Sequence, residues 1–284
     1  MAPCEPRAWA MRMEELAEQV WMFVGEAYES VATAFIDGDD ALLVDTLAST
    51  EDALRLRQAL CEQRGKSVRA IVATHYMSDH LAGLPLFPQA LSIAQRHYRH
   101  TFLYQNRRED AYYREPRLVF DQAMTLRWGA HELRLLHNPG KTLDHVSVDV
   151  PGADLVCAGD NIVGRIVYLS RADPMALRAA ILRLRELGRG RVIGGHMGCF
   201  PAAVLEQALH YLDRLRETVV RIRATSVPTQ ADERITAIPI EACLAPQVQP
   251  LAFEREWHGR NLEAIVAQSV FALDAAIAAR EAGA

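Results

Sequence analysis

The feature that most constrains this chain is an apolar run, Val68-Arg69-Ala70-Ile71-Val72-Ala73, that gives way at once to Thr74-His75-Tyr76-Met77-Ser78-Asp79-His80. A short, nearly continuous run rich in β-branched residues reads as a strand of a sheet covered on both faces. The following residues then lie in the loop at the strand's C-terminal end, where α/β proteins collect their active sites. His75, Tyr76, Asp79 and His80 crowd imidazole nitrogens and hard oxygens into that loop, a donor set that suits zinc, iron or manganese. A plain polar loop is the alternative, and a single histidine would favour it.

A strand ending in T-H-x-H-x-D-H and running into a small helix is the signature of the metallo-β-lactamase superfamily. Thr74 to His80, followed by Leu81-Ala82-Gly83, resembles it, with Met77 in the place of the second histidine. Further motifs of that family have counterparts in the same order. Asp45-Thr46, after Ala41-Leu42-Leu43-Val44, is similar to its V-D-T. Pro139-Gly140-Lys141-Thr142-Leu143-Asp144-His145 is similar to P-G-H-T-x-x-H, with Lys141 where the family has a ligand. Asp154 to Asp160 reads as a strand ending in Gly-Asp, and Arg191 to His196 as a strand ending in Gly-His. Each short motif is weak alone; their order, each after an apolar strand, makes the resemblance specific.

The resemblance implies an α/β chain folded as a four-layer αβ/βα sandwich over residues 13–223, with 1–12 a disordered extension. The family's two-metal site uses three histidines and a bridging aspartate for one ion. For the other it uses an aspartate, a histidine, the same bridging aspartate and the last histidine. Transferred to this chain, the first set keeps His75 and Asp160 but meets Met77 and Lys141, whereas the second is whole as Asp79, His80, Asp160 and His196. One ion per chain is implied, zinc first, with iron or manganese as alternatives. An ammonium has no lone pair to offer a metal. Lys141 is therefore expected to pair with Asp160 in place of the missing cation.

The implied chemistry is hydrolysis of an ester, thioester, lactone or amide-type bond by a metal-bound hydroxide. Asp79 would take the proton, Lys141 or Tyr76 would steady the oxyanion, and Asp45, His145 and Met77 would surround the ligands. Two rival readings of the same resemblance are an iron-dependent oxidoreductase and a non-catalytic relative that binds a ligand in the old cleft.

Around the motifs, Gln19–Val24 and Tyr28–Ile36 read as strands about a turn at Gly25-Glu26, and Asp37-Gly38-Asp39-Asp40 as a tight turn. Ser49 opens a helix to about Arg64, with Leu54, Leu56, Ala59 and Leu60 on its buried side. His97 and His100 belong to the rim of the cleft. Helices are expected over Pro174–Leu187 and Pro201–Arg223. Residues 224–284 read as a proline-spaced linker and a helix from Phe253 to Arg280 that packs on the domain or makes a homodimer.

Composition narrows the rest. A net charge of -5 with dispersed Lys and Arg gives no attraction to nucleic acid, so a small molecule is the expected partner. The five cysteines are widely separated and lack C-x-x-C spacing, which suits reduced thiols in the cytoplasm. No run is long enough to span a bilayer, and the first residues lack a leader's apolar core.

Overall fold

In the computed structural model, which describes residues 11–104 and 111–272, the chain opens on a meander. Strands β1 (Arg12–Ala17), β2 (Val20–Val24), β3 (Val31–Asp37) and β4 (Asp40–Val44) pair antiparallel. Gly38 (φ +55°) supplies the left-handed conformation in the turn between β3 and β4. Strands β5 (Ser67–Val72), β6 (Leu91–Gln95) and β7 (Leu118–Phe120) then add in parallel, so the described residues form a seven-stranded sheet in sequence order. Helix α1 (Thr50–Arg57) makes the crossover between β4 and β5, and α2 (Ser78–Leu81) and α3 (Tyr98–Tyr104) follow β5 and β6.

A second sheet contains β8 (Ala123–Trp128), β9 (His131–His137), β10 (Val146–Val150), β11 (Leu155–Gly159), β12 (Arg191–Gly194) and β13 (Cys199–Pro201), in the spatial order β13-β12-β11-β10-β9-β8. Its one parallel pair, β11 beside β12, is joined through α4 (Pro174–Glu186).

Period-two patterning decides which face of each strand meets which layer. In β3, Val31 and Phe35 face the second sheet while Ala32, Ala34 and Ile36 face outward; in β4, Leu42 and Val44 face in and Ala41 and Leu43 out. The inward set meets Leu133, Leu135, Val146, Val148 and Cys157 in one core between the sheets. Leu56 of α1 covers the outer face of the first sheet. Helices α4 and α5 (Ala203–Thr225) cover Val156, Ala158 and Val192 of the second sheet through Leu177, Ile181, Leu205 and Leu209. Helix, sheet, sheet, helix is the αβ/βα sandwich expected from the sequence.

Four expectations change. Leu54 is 46% exposed, because α1 buries Ala53 and Leu56, three apart, and Leu54 lies off that face. Tyr28 is not in a strand: it has φ 56° in the turn before β3. The proline-spaced stretch is not a plain linker, since Pro228 starts α6 (Pro228–Thr236), where its missing N–H costs nothing. Ala231, Ile235, Ile238, Ile240 and Cys243 join the core under α5. Helix α7 (Ala252–Ala267) buries Trp257, Leu262 and Ile265 in that same core. The helix expected to run to Arg280 stops at Ala267, where Gln268 caps it and the left-handed Ser269 (φ 51°) and Phe271 (φ 59°) turn the chain; residues 273–280 lie outside the described residues, as do residues 1–10 of the 1–12 extension.

No helix among the described residues is long and apolar enough to cross a membrane. Phe35 is fully buried between the sheets. Phe35→Ala should therefore cost about 3–5 kcal/mol in urea unfolding. Leu54→Ala, on the exposed side of α1, should stay within about 0.5 kcal/mol.

Candidate metal centre

Asp45 follows β4, the His75–His80 loop follows β5, Asp160 follows β11 and His196 follows β12, so strand ends from both sheets meet at one rim. Backbone bonds fasten that rim: Val146 N–H donates to Thr74 O (2.7 Å) and Val31 N–H to Gly195 O (3.0 Å). There the fold gathers Asp79, His80, Asp160 and His196, with one potential ligand atom from each lying within 4.8 Å of the others. Asp160 Oδ1 is 3.1 Å from His80 Nε2 and 3.2 Å from His196 Nε2; Asp79 Oδ2 is 3.7 Å from His196 Nε2. His75 borders the group, its Nε2 3.7 Å from Asp160 Oδ2.

The other ring nitrogen of each histidine is already committed. His80 Nδ1 meets Asp45 Oδ2 at 3.1 Å and donates to it. His196 Nδ1 donates to the Tyr28 carbonyl at 2.7 Å. Thr74 Oγ1 gives its single proton to Asp45 Oδ2 (2.7 Å), so His75 Nδ1, 2.9 Å away, must donate to it. In the neutral imidazoles these bonds leave three Nε2 lone pairs converging on a carboxylate. The buried His75 Nε2, His80 Nε2, Asp79 Oδ1 and Asp160 Oδ1 make no hydrogen bond. Lone pairs facing lone pairs in a dry site repel unless a cation lies among them, and two imidazoles with two carboxylates suit a divalent ion. The residues therefore fit such an ion.

Electrostatics agree. Burial opposes charge on His80, yet Asp160, Asp45 and Asp79 push its pKa well above the usual value. Burial likewise opposes charge on His196, whose pKa the carboxylates of Asp160 and Asp79 raise. For Asp160, burial works upward, but His80 and His196 hold the carboxyl well below its usual range. The cluster attracts positive charge, whether protons or metal.

Two close approaches require glycine. A Cβ on Gly195 would stand 2.1 Å from Asp160 Oδ1 and 3.0 Å from His80 Cε1. Gly159, at φ +53°, would meet His145 Nε2 at 2.7 Å. His145 stacks on His75 with ring centroids 5.0 Å apart and accepts from Asn161 Nδ2 at 3.2 Å. Burial keeps it neutral, with its pKa well below the usual value.

The residues expected at the reacting bond distribute differently. Tyr76 is fully buried, its ring against Tyr98, Phe102 and Tyr113, so it is placed to pack the loop and not to meet an oxyanion. Lys141 makes no ion pair with Asp160. Its ammonium donates to the carbonyls of Ser170 (2.7 Å) and Tyr168 (3.5 Å) and stands 4.0 Å from the centre of the Tyr168 ring. Met77 lines the cleft, as does His100, while His97 faces His137.

Sequence reasoning missed Asp144. Its buried carboxylate accepts from Tyr76 N (2.9 Å) and Thr101 Oγ1 (2.7 Å), tying the metal loop to α3. It also gave no role to Tyr28, whose carbonyl orients His196, or to Tyr168 and Arg171 at the cleft. Trp257, 5.7 Å from the His196 ring, closes one side. Only the spacing of Asp144 within the Pro139–His145 block could have drawn notice.

The family model described as the Metallo-beta-lactamase superfamily matches residues 27–196, which include every residue of the cluster. The chain belongs to this superfamily. Solved superfamily structures share its fold. They include a metallo-beta-lactamase from Pontibacter korlensis (TM-score 0.63, 19% identical, 72% of this chain and 99% of that one). DIM-1 metallo-beta-lactamase is similar (TM-score 0.58, 20% identical, 72% and 97%). A stretch of 127 residues is 28% identical to an atrochrysone carboxyl ACP thioesterase from Pseudocercospora fijiensis. That match covers 45% of this chain and 35% of the thioesterase, about a third of that relative's length.

Because protons and metal compete for the same nitrogens, zinc titrated into metal-free protein should release protons and bind more weakly as pH falls. Calorimetry in buffers of different ionisation enthalpy measures both. Gly195→Ala should push Asp160 and His80 apart and cut metal affinity by about 10–100-fold, the loss typical of disturbing groups that support a metal's ligands, read by competition with a chelating dye.

Proposed function

We propose that this chain is a hydrolase of an ester or thioester bond that works with one divalent ion, zinc, held by Asp79, His80, Asp160 and His196 with His75 at its edge. The observation that carries the reading is the set of three oriented Nε2 lone pairs converging on Asp160 at the floor of an open cleft. The thioesterase relative supports acyl transfer to water as the reaction class.

When bound, the ion would polarise the substrate carbonyl and make water a stronger acid. The protein's own residues do the rest. Asp79 lines the cleft and has a buried, unpartnered Oδ1 to receive the proton of the attacking water. Asp45 fixes the tautomer and direction of His80 while Tyr28 O does the same for His196. Tyr168 and Trp257, packed edge to face at 4.6 Å, form an apolar wall that limits water at the scissile bond. Lys141 adds a fixed positive charge to the cleft wall.

The first experiment is metal content per chain together with turnover of a simple acyl thioester. About one zinc per chain, lost with the activity in His196→Ala, is the expected result. Protein that retains full activity after dialysis against a strong chelator would sink the reading.

Burial pushes the Lys141 ammonium down to about 8, against the upward pull of Asp160 and Asp79. In the metal-free protein its charge is thus present at neutral pH and disappears as pH rises through about 8; an ion that offsets those carboxylates would move this point lower. For a thioester whose acyl group carries a negative charge, kcat/KM should fall along that alkaline limb, and Lys141→Met should lose about tenfold or more at neutral pH and lack the limb altogether.

A further inference from the structure

A cleft of about 380 Å³ opens beside the metal cluster, with Lys141, Arg171, His100, Met77 and Tyr168 among its walls and no carboxylate among the described residues that line it. Met77 and Tyr168 also line the smaller cavity over Asp79, Asp160 and His196, so the two spaces share a wall. Lys141 is only 4% exposed. Its ammonium touches main-chain carbonyls and a ring face, which carry only partial negative charge, and no carboxylate among the described residues comes within ion-pair distance. The two carboxylates whose fields reach it, Asp160 and Asp79, are the ones assigned to the divalent ion, which would offset them. A buried cation without a counter-ion is unfavourable, and a ligand carboxylate would complete it.

On the far side of Trp257 lies a larger groove of about 530 Å³, lined by Glu26, Glu29 and Glu256 beside Tyr28, Phe253 and Trp257. Its carboxylates disfavour an anion there, and its size suits the bulkier half of a substrate, the leaving group. A single ammonium already bonded to two carbonyl oxygens has room for one small anion of low charge. A phosphate would set more acceptor oxygens against the Ser170 and Tyr168 carbonyls.

We propose that the cleft selects acyl groups that carry their own carboxylate, as in half-thioesters or half-esters of a short dicarboxylic acid, with that carboxylate seated on Lys141 in the cleft that Arg171 also lines. The position of the scissile carbonyl over the metal cluster rests on the acyl-hydrolase reading; the anion subsite does not. Hydrolysis adds water across the acyl–sulfur bond, releasing the free diacid and a thiol. Lys141 then acts on the substrate's distant charge and not on the developing oxyanion.

The test compares succinyl and isocaproyl thioesters of N-acetylcysteamine, which differ in charge and hardly in shape, on the metal-loaded full chain at neutral pH. The succinyl thioester should be favoured about tenfold or more in kcat/KM, chiefly through KM, the scale of one charge-assisted contact in a dry cleft. Lys141→Met should bring the ratio close to one. Equal loss on both substrates with the ratio kept would overturn the proposal, as would equal use of both by the wild type. A preference for a charged thiol over a charged acyl group would also overturn it.

Binding separates this proposal from the hydrolase reading. Succinamate and isocaproamide, titrated calorimetrically into the same protein, should differ by about tenfold or more in favour of the charged amide. If neither thioester is cleaved but succinamate is still selected, the hydrolase reading fails and the subsite stands. If both thioesters are cleaved alike and both amides bind alike, the subsite fails alone. Arg171→Leu is the second variant should Lys141→Met not fold, and it should lower the succinyl preference severalfold.

Discussion

The Asp45 carboxylate holds the centre of this protein together. It sits in left-handed backbone (φ 59°), a conformation that costs a non-glycine residue about 1 kcal/mol or more. From there it accepts from Thr74 N and Thr74 Oγ1 and receives His80 Nδ1–H. Those three bonds fix the metal loop on β5. They also send the Thr74 proton away from His75 and leave the Nε2 atoms of both loop histidines free to face Asp160. A loop of this composition without that buried acceptor would hydrogen-bond to itself or to water, and its histidines would have no common direction. Orientation of the nitrogens, more than their number, is what fits the cluster to a divalent ion.

The second sheet supplies the other half. Asp160 and His196 arrive on neighbouring parallel strands, and Gly159 and Gly195 let those strands pass close enough to bring carboxylate and imidazole together. Helix α7 then braces the cleft from behind. Glu254 pairs with Arg165 (2.5 Å), Asn261 bonds Leu169 N and Val167 O, and Gln268 accepts from Arg171 N (2.8 Å). Each bond lands on the segment that carries Tyr168, Ser170 and Arg171. The C-terminal helix thereby shapes the wall opposite the metal loop, so it is part of the site's scaffold as well as of the core.

Lys141, where the superfamily motif leads one to expect a histidine, directs its side chain away from the cluster. Asn161 fixes the backbone here: Lys141 N donates to Asn161 Oδ1, and the Gly140 Cα lies against Asn161 and Ala180. A longer side chain in that place reaches past the cluster to Ser170 O. The ammonium thus lies along the cleft wall and not beside Asp160.

Much of this was legible in the chain of residues. The strand-then-donor order of Thr74–His80, Asp154–Asp160 and Arg191–His196 already named the four cluster residues, and the apolar run Val68–Ala73 foretold a sheet covered on both faces. These are local facts: hydrophobic period and the chemistry of a side chain beside a strand end. Leu54, Tyr76, Asp144 and the Lys141 ammonium were not legible, because each depends on what lies across space. Which side of α1 is buried depends on how it docks, Tyr76 was turned inward by Tyr98, Phe102 and Tyr113, and Asp144 found its donors in α3. Sequence by itself determined the donors, their order and the layers that carry them. Only tertiary structure decided which lone pairs meet and which charge is left without a partner, since those depend on distances between segments far apart in the chain.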